Sequence, residues 1–141
     1  MNLFDSSALL AFLHDETGSD VVERALLEGG ACGAANRSEV AQKTAQRGAD
    51  WALAKALLLS YGLTVEPVAA VDAEAAARLW ADQPVLSLGD RLCLVQSQRL
   101  GATVWTADLA WARRSRSAKS GRRATKRGEP AAATLLCGGF A

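Results

Sequence analysis

The feature that most restricts this chain is an alternation of short apolar runs with longer segments of helical periodicity, continuing from the first residues to about residue 106. Asn2-Leu3-Phe4-Asp5 reads as a short strand, and Ser6-Ser7 read as cap residues before an apolar helix from Ala8 to Leu13. A second amphipathic helix begins after Ser19-Asp20 and ends at Gly29-Gly30. The small apolar residues Ala31 to Ala34 suit a buried strand, and a helix follows from Ala35 to Arg47. Asp50 is placed to cap the next helix, which Gly62 stops, and Leu63 to Val68 read as extended. Asp72 to Trp80 is helical up to the Asp82-Gln83-Pro84 break. Another helix starts near Ser87 to Asp90 and closes at Gly101. Ala102 to Thr106 is the clearest strand and delivers Asp108 just beyond its end. Strands separated by helices of this length imply a parallel sheet covered on both faces.

The chain has 141 residues, half of them apolar, which suits one compact domain. No run approaches the roughly 18 uninterrupted apolar residues of a membrane span, and Asp5 stands where a secretory leader would carry positive charge. The expectation is a soluble, cytoplasmic protein that does not engage membranes. Cys32, Cys93 and Cys137 are odd in number and far apart, so packed thiols are expected rather than zinc or disulfides. His14 is the only histidine, which argues against triad and Cys–His mechanisms. The net charge of +1 hides an asymmetry. Residues 1–112 hold 8 Lys/Arg against 14 Asp/Glu, a net of −6, whereas 113–141 hold 8 Lys/Arg and only Glu129, a net of +7. Residues 1–112 are therefore read as the domain, and 113–141 as a basic, mobile C-terminal tail without the apolar periodicity needed for packing.

In parallel α/β sheets, ligands collect in the crevice beyond the carboxyl ends of the strands, where the strand assignments put Asp5 and Asp108. Glu39 and Asp90 lie near the starts of helices that open toward the same crevice. Four convergent carboxylates would repel one another unless a cation offset them. Mg²⁺ suits an all-oxygen set that keeps several waters, and zinc does not, because no His or Cys accompanies the acids. A carboxylate-held metal activates water and neutralises phosphate charge, so the pattern points to phosphodiester hydrolysis. The bland alternative for each acid is a turn former or helix N-cap.

Four segments together resemble the PIN-domain family, and within it the VapC-type toxins of bacterial toxin–antitoxin modules. They are Phe4-Asp5-Ser6-Ser7-Ala8-Leu9-Leu10-Ala11, Asn36-Arg37-Ser38-Glu39-Val40, Ser87-Leu88-Gly89-Asp90-Arg91-Leu92-Cys93-Leu94 and Val104-Trp105-Thr106-Ala107-Asp108-Leu109-Ala110-Trp111. The resemblance implies a doubly wound α/β/α sandwich and an acidic pocket of Asp5, Glu39, Asp90 and Asp108. Asp5, Asp90 and Asp108 would hold Mg²⁺, with Mn²⁺ as a substitute. Glu39 would orient or deprotonate the attacking water, and Ser6 and Thr106 would hydrogen-bond the acids. It further implies RNA cleavage, homodimers and silencing by a cognate antitoxin. Arg37, Arg91 and Arg99 are the candidate RNA contacts on an otherwise acidic body.

Family members of this kind usually continue past the Trp111 region into a short apolar segment that completes the sheet, whereas here the chain turns basic. The tail reads either as an arm that grips a polyanion or as the product of a shifted reading frame. Two other functions fit less of the pattern. A phosphatase on a related fold would carry a second Asp two residues after the first, where Ser7 stands. A non-catalytic module would bind RNA or a partner through the tail.

Overall fold

The computed structural model describes residues 1–108 and the backbone of a strand at 133–136. Trp111, the basic run from Arg113 to Arg127, and Cys137 lie outside the described residues. The elements run β1 (Asn2–Phe4), α1 (Ser6–Leu13), α2 (Ser19–Leu27), β2 (Gly30–Gly33), α3 (Ala34–Gln46), α4 (Trp51–Ser60), β3 (Thr64–Glu66), α5 (Ala70–Asp82), α6 (Leu88–Leu100), β4 (Thr103–Thr106) and β5 (Ala133–Leu136).

The sheet order is β3-β2-β1-β4-β5. β3, β2, β1 and β4 are parallel, and β5 pairs antiparallel with β4. Six helices flank the parallel strands, giving a doubly wound α/β/α fold. The chain moves outward from β1 through β2 to β3, then returns to place β4 on the other side of β1. The crevice beyond β1 and β4 is therefore the topological switch point, where open α/β sheets bind ligands.

Residue alternation along the strands divides the core between the two faces. Leu3, Ala31 and Val104 pack with Cys93 and Ala102 on the face that α6 covers. Phe4 and Cys32 pack with Leu9, Val22, Leu26, Val40 and Leu58 on the face of α1 to α4. A third, smaller cluster of Ala76, Leu92 and Val95 joins α5 to α6. The Phe4 ring stacks on Trp105 with centroids 6.5 Å apart, which continues the β1–β4 pairing register of Phe4 with Trp105 into the side chains.

Boundaries differ from the sequence reading mainly where capping decided them. Ser6 and Ser7 were expected to cap α1, but they are its first two helical residues and Asp5 is the N-cap, accepting from the Ser6 N–H. Asp50 caps α4 as expected, accepting from the Ala52 N–H at 2.8 Å. β3 is only three residues long and mostly exposed, shorter than the Leu63 to Val68 run suggested. Gly101 closes α6 in the left-handed conformation, φ 60°, which a side chain would resist.

The sheet was expected to lack an edge strand after residue 112, and here the expectation fails. Ala133–Leu136 adds to the free side of β4 in antiparallel register, with Thr106 opposite Ala133 and Thr103 opposite Leu136. Part of the segment assigned to a tail therefore belongs to the sheet. Ala133-Thr134-Leu135-Leu136 is too short to show a period, and it follows a basic run with no helical or strand pattern. Among the described residues no helix is long and apolar enough to cross a membrane. Cys32 and Cys93 are buried free thiols, and burial pushes the Cys32 thiol up to about 11, which keeps it protonated.

Candidate functional site

Asp5 follows β1 directly, and its backbone N–H donates to the Trp105 carbonyl at 2.9 Å, which extends the β1–β4 pairing by one residue. The side chain is 2% exposed. Five donors converge on its two oxygens. Oδ1 accepts from the Ser6 N–H at 2.7 Å, the Ser6 hydroxyl at 3.3 Å and Asn36 Nδ2 at 3.0 Å. Oδ2 accepts from the Ser7 hydroxyl at 2.7 Å and the Thr106 hydroxyl at 3.0 Å. The two hydroxyls in turn accept from the backbone beyond β4, Ser7 from Ala107 N–H at 3.0 Å and Thr106 from Asp108 N–H at 3.1 Å. A polar lattice thus joins the ends of β1 and β4.

Glu39 enters from α3. The Ser6 hydroxyl donates to Glu39 Oε2 at 2.7 Å as well as lying over Asp5 Oδ1, so one hydroxyl bridges two of the predicted acids. Lys43, one turn further along α3, pairs with Glu39 Oε1 at 2.6 Å. Burial pushes the Glu39 carboxyl up, but the Lys43 and Ser6 hydrogen bonds outweigh it and hold it below its ordinary value. Asp90 opens α6, where Ser87 and Asp90 form a capping box: Asp90 Oδ2 accepts from the Ser87 N–H at 3.0 Å and the Asp90 N–H donates to the Ser87 hydroxyl at 3.1 Å. The preceding Gly89 brings this helix start against α3, since a Cβ there would sit 3.6 Å from Glu39 Oε2 and 3.8 Å from Asn36 Nδ2.

Asp5 and Asp90 interact electrostatically. Burial raises the Asp5 carboxyl well above the usual carboxylate range, and the charge of Asp90 pushes the same way against the Ser7, Thr106 and Ser6 hydrogen bonds. Among the described residues every direct partner of Asp5 is neutral, so they supply no charge to offset it. Gly33, at the end of β2, keeps α3 and α6 this close. A Cβ there would fall 2.3 Å from Gln96 Oε1 and 3.1 Å from Asn36 Oδ1.

The structure therefore brings Asp5, Glu39 and Asp90 to one place, with Ser6 and Thr106 bonded to Asp5. Asp108 joins through its backbone N–H, and the residue stands exposed at the mouth of the switch point. Two of the acids also have structural roles, since Asp5 is an N-cap and Asp90 half of a capping box. Among the described residues, no group of three or more His, Cys, Asp or Glu side chains is arranged as a ready cage for a metal ion. The donor set instead fits a hard dication that takes one or two carboxylates directly and keeps waters elsewhere. Asp5 Oδ2 meets only hydroxyls, which can turn to face a cation, whereas Oδ1 is held by two N–H donors that cannot.

Sequence reasoning missed Ser7, Asn36 and Lys43. Ser7 had been read as a cap, and it links Asp5 to Thr106 and Ala107. Asn36 is fully buried against Asp5. Its spacing of three from Glu39, with Lys43 four beyond, was the available signal, since i, i+3 and i+4 share a helix face. The candidate RNA contacts have partners within the fold. Arg37 rests over the Trp51 ring at 5.7 Å from its centroid. Arg91 donates to the Ala76 carbonyl of α5 at 2.8 Å, and Arg99 binds Asp72 and Glu66.

Comparison with known families decides what this arrangement belongs to. The PIN domain family model matches residues 3–116, most of the chain. The chain belongs to the PIN domain family. PIN domains are generally Mg²⁺- or Mn²⁺-dependent nucleases, so at family level this PIN domain is a nuclease-type hydrolase. No curated protein matches the chain.

Proposed function

We propose that this PIN domain is a Mg²⁺-dependent endoribonuclease and serves as the toxin of a toxin–antitoxin module. The observation that carries the enzymatic part is Asp5: buried, with burial and the nearby Asp90 opposing its ionisation, and surrounded among the described residues by neutral donors. A structural acid would be expected to have a cationic partner or a low pKa. Among the described residues Asp5 has neither, which suits a carboxylate that awaits a cation.

In this reading Asp5 and Asp90 are the direct metal ligands, with Asp108 approaching from the mouth. When bound, the dication lowers the pKa of water and neutralises charge on the scissile phosphate. Ser6 holds Glu39 through one oxygen, which sets the carboxylate to orient or deprotonate the attacking water, while the other oxygen rests on Lys43 in the free protein. Thr106 and Ser7 keep Asp5 in place from the β4 side. The toxin role, a cognate antitoxin that inserts into the acidic groove, homodimerisation and a cytoplasmic setting rest on the likeness of the four motif segments to VapC-type proteins. Mn²⁺ is expected to substitute for Mg²⁺.

Incubation of purified protein with structured RNA tests the enzymatic part. Cleavage should require Mg²⁺, stop with a chelator, and vanish in Asp90→Asn. Equal cleavage by Asp90→Asn, or cleavage in chelator, would remove the proposed site. Co-expression with the product of the adjacent gene should relieve any growth arrest caused by the wild type; arrest that persists, or that Asp90→Asn also causes, argues against the toxin role.

A further inference from the structure

RNA binding to this domain has an electrostatic difficulty. Residues 1–112 carry a net charge of −6, and phosphate contacts supply most nucleic-acid affinity. The three arginines that the sequence suggested for this role each have a partner within the fold: the Trp51 ring, the Ala76 carbonyl, and Asp72 with Glu66.

One face of α3 offers a different cation. Asn36, Glu39 and Lys43 follow one another at helical spacing, and their exposure rises in steps. Asn36 is fully buried on Asp5, the Glu39 side chain is 32% exposed, and the Lys43 side chain is 48% exposed. The row thus leads from the floor of the acidic site to its rim and ends in an ammonium. Lys43 is the described cation that ion-pairs with an acid of this cluster, at 2.6 Å from Glu39 Oε1. An exposed i, i+4 pair of this kind is weak and exchanges readily. A phosphate next to the scissile one is the stronger partner for a rim ammonium, because it keeps its full negative charge and is not shared with a serine hydroxyl.

Resting on the nuclease reading, we propose that Lys43 is a substrate-binding cation at the rim of this site. Its ammonium rests on Glu39 in the free protein and moves to a phosphate of the RNA strand on binding. The same movement releases one Glu39 oxygen to the attacking water, so substrate binding and the freeing of Glu39 are a single event. Ser6 holds the other oxygen throughout.

The test uses Lys43→Gln, Lys43→Arg and, as a control of equal charge change, Lys55→Gln on α4. Binding of a labelled single-stranded RNA is followed by anisotropy in an Asp90→Asn background from 50 to 200 mM salt, and cleavage kinetics are measured in the active background. Lys43→Gln should weaken binding about fivefold to tenfold across sequences and lower the log–log salt slope by about 0.7, the value of one single-strand phosphate contact. KM should rise more than kcat falls, with the melting temperature unchanged, and Lys43→Arg should restore both binding and slope. An unchanged slope, or an equal slope change in Lys55→Gln, overturns the assignment while leaving the nuclease reading intact. A parallel loss of stability and kcat without a slope change would make Lys43 structural and equally overturn it. Wild type that neither binds nor cleaves RNA with Mg²⁺ would refute the nuclease reading and the inference with it.

Discussion

Two aspartates in this molecule are almost equally buried and have opposite electrostatics. Asp5 is 2% exposed and Asp72 1% exposed. Asp72 lies in the first turn of α5, accepts from the Ala69 N–H at 3.1 Å, and receives two bonds from the Arg99 guanidinium at 2.8 and 3.0 Å. That guanidinium holds its carboxyl below the ordinary value, the hydrogen bond being the main cause. Asp5 has more donors but none charged among the described residues, and it is pushed up by burial and by Asp90. The difference teaches that neutral hydrogen bonds alone do not compensate a deeply buried carboxylate, and that among the described residues Asp72 receives a guanidinium while the acid at the switch point receives no cation.

The sharpest way to break the comparison is to neutralise both. Asp5→Asn should lower RNA cleavage on the order of 10³-fold. Its shape fits: an Asn oxygen can accept where Oδ1 does, and its amide can donate to the Ser7 and Thr106 hydroxyls, which then turn. In metal-free buffer its melting temperature should hold or rise by roughly 4 °C, the shift that about 1 kcal/mol produces in a domain of this size. A large loss of stability would mean that Asp5 is structural after all.

Asp72→Asn should behave in the opposite way. It leaves Arg99 without its charged partner, and because the Arg99 end is solvent-screened the loss seen by denaturant titration should be modest, below that of a buried pair. Cleavage measured well below the transition should stay near wild type; a catalytic defect without a stability defect would upset the distinction.

Metal addition separates the two sites with a smaller effect. At ten times its dissociation constant, Mg²⁺ should stabilise the wild type and Asp72→Asn by about 1.4 kcal/mol and leave Asp5→Asn unmoved. Thermal melts with and without chelator read this directly, and equal stabilisation of all three proteins would place the ion elsewhere.

The pH dependence is the finest test. A raised carboxyl binds its proton more tightly folded than unfolded, so the Asp5 contribution is most favourable below the ordinary value of 3.8 and is lost as pH rises through its elevated range. For Asp72 the sign reverses, and its contribution is present above 3.8 and lost as pH falls through the depressed range. Stability profiles in metal-free buffer should therefore lose their decline above pH 4 in Asp5→Asn and part of their acid-side decline in Asp72→Asn. Profiles that superimpose on the wild type would refute the assignment of either group.

Much of the fold was legible because each element carried its own local signal. Helical spacing, Asp50 and Ser87 at helix starts, and Gly62 and Gly101 at helix ends are all read within a few residues. β5 was not legible, since four residues are too few for a period and their pairing with β4 joins positions about thirty residues apart. At the site, Asp5, Glu39 and Asp90 were legible from strand and helix ends, and the motif segments pointed the same way. Asn36 and Ser7 were not singled out, because their chemistry lies in what they touch across the crevice. Arg37, Arg91 and Arg99 were read as candidate RNA contacts, and their partners within the fold became visible only in the structure.

By itself the sequence determined which elements form and which acids stand at their ends, because capping, periodicity and strand alternation act between residues near one another in the chain. Only the tertiary structure decided which acids meet a cation and which are buried among neutral donors. Compensation depends on groups far apart in sequence, Arg99 reaching Asp72 and Thr106 reaching Asp5, and on the burial that makes an uncompensated charge costly.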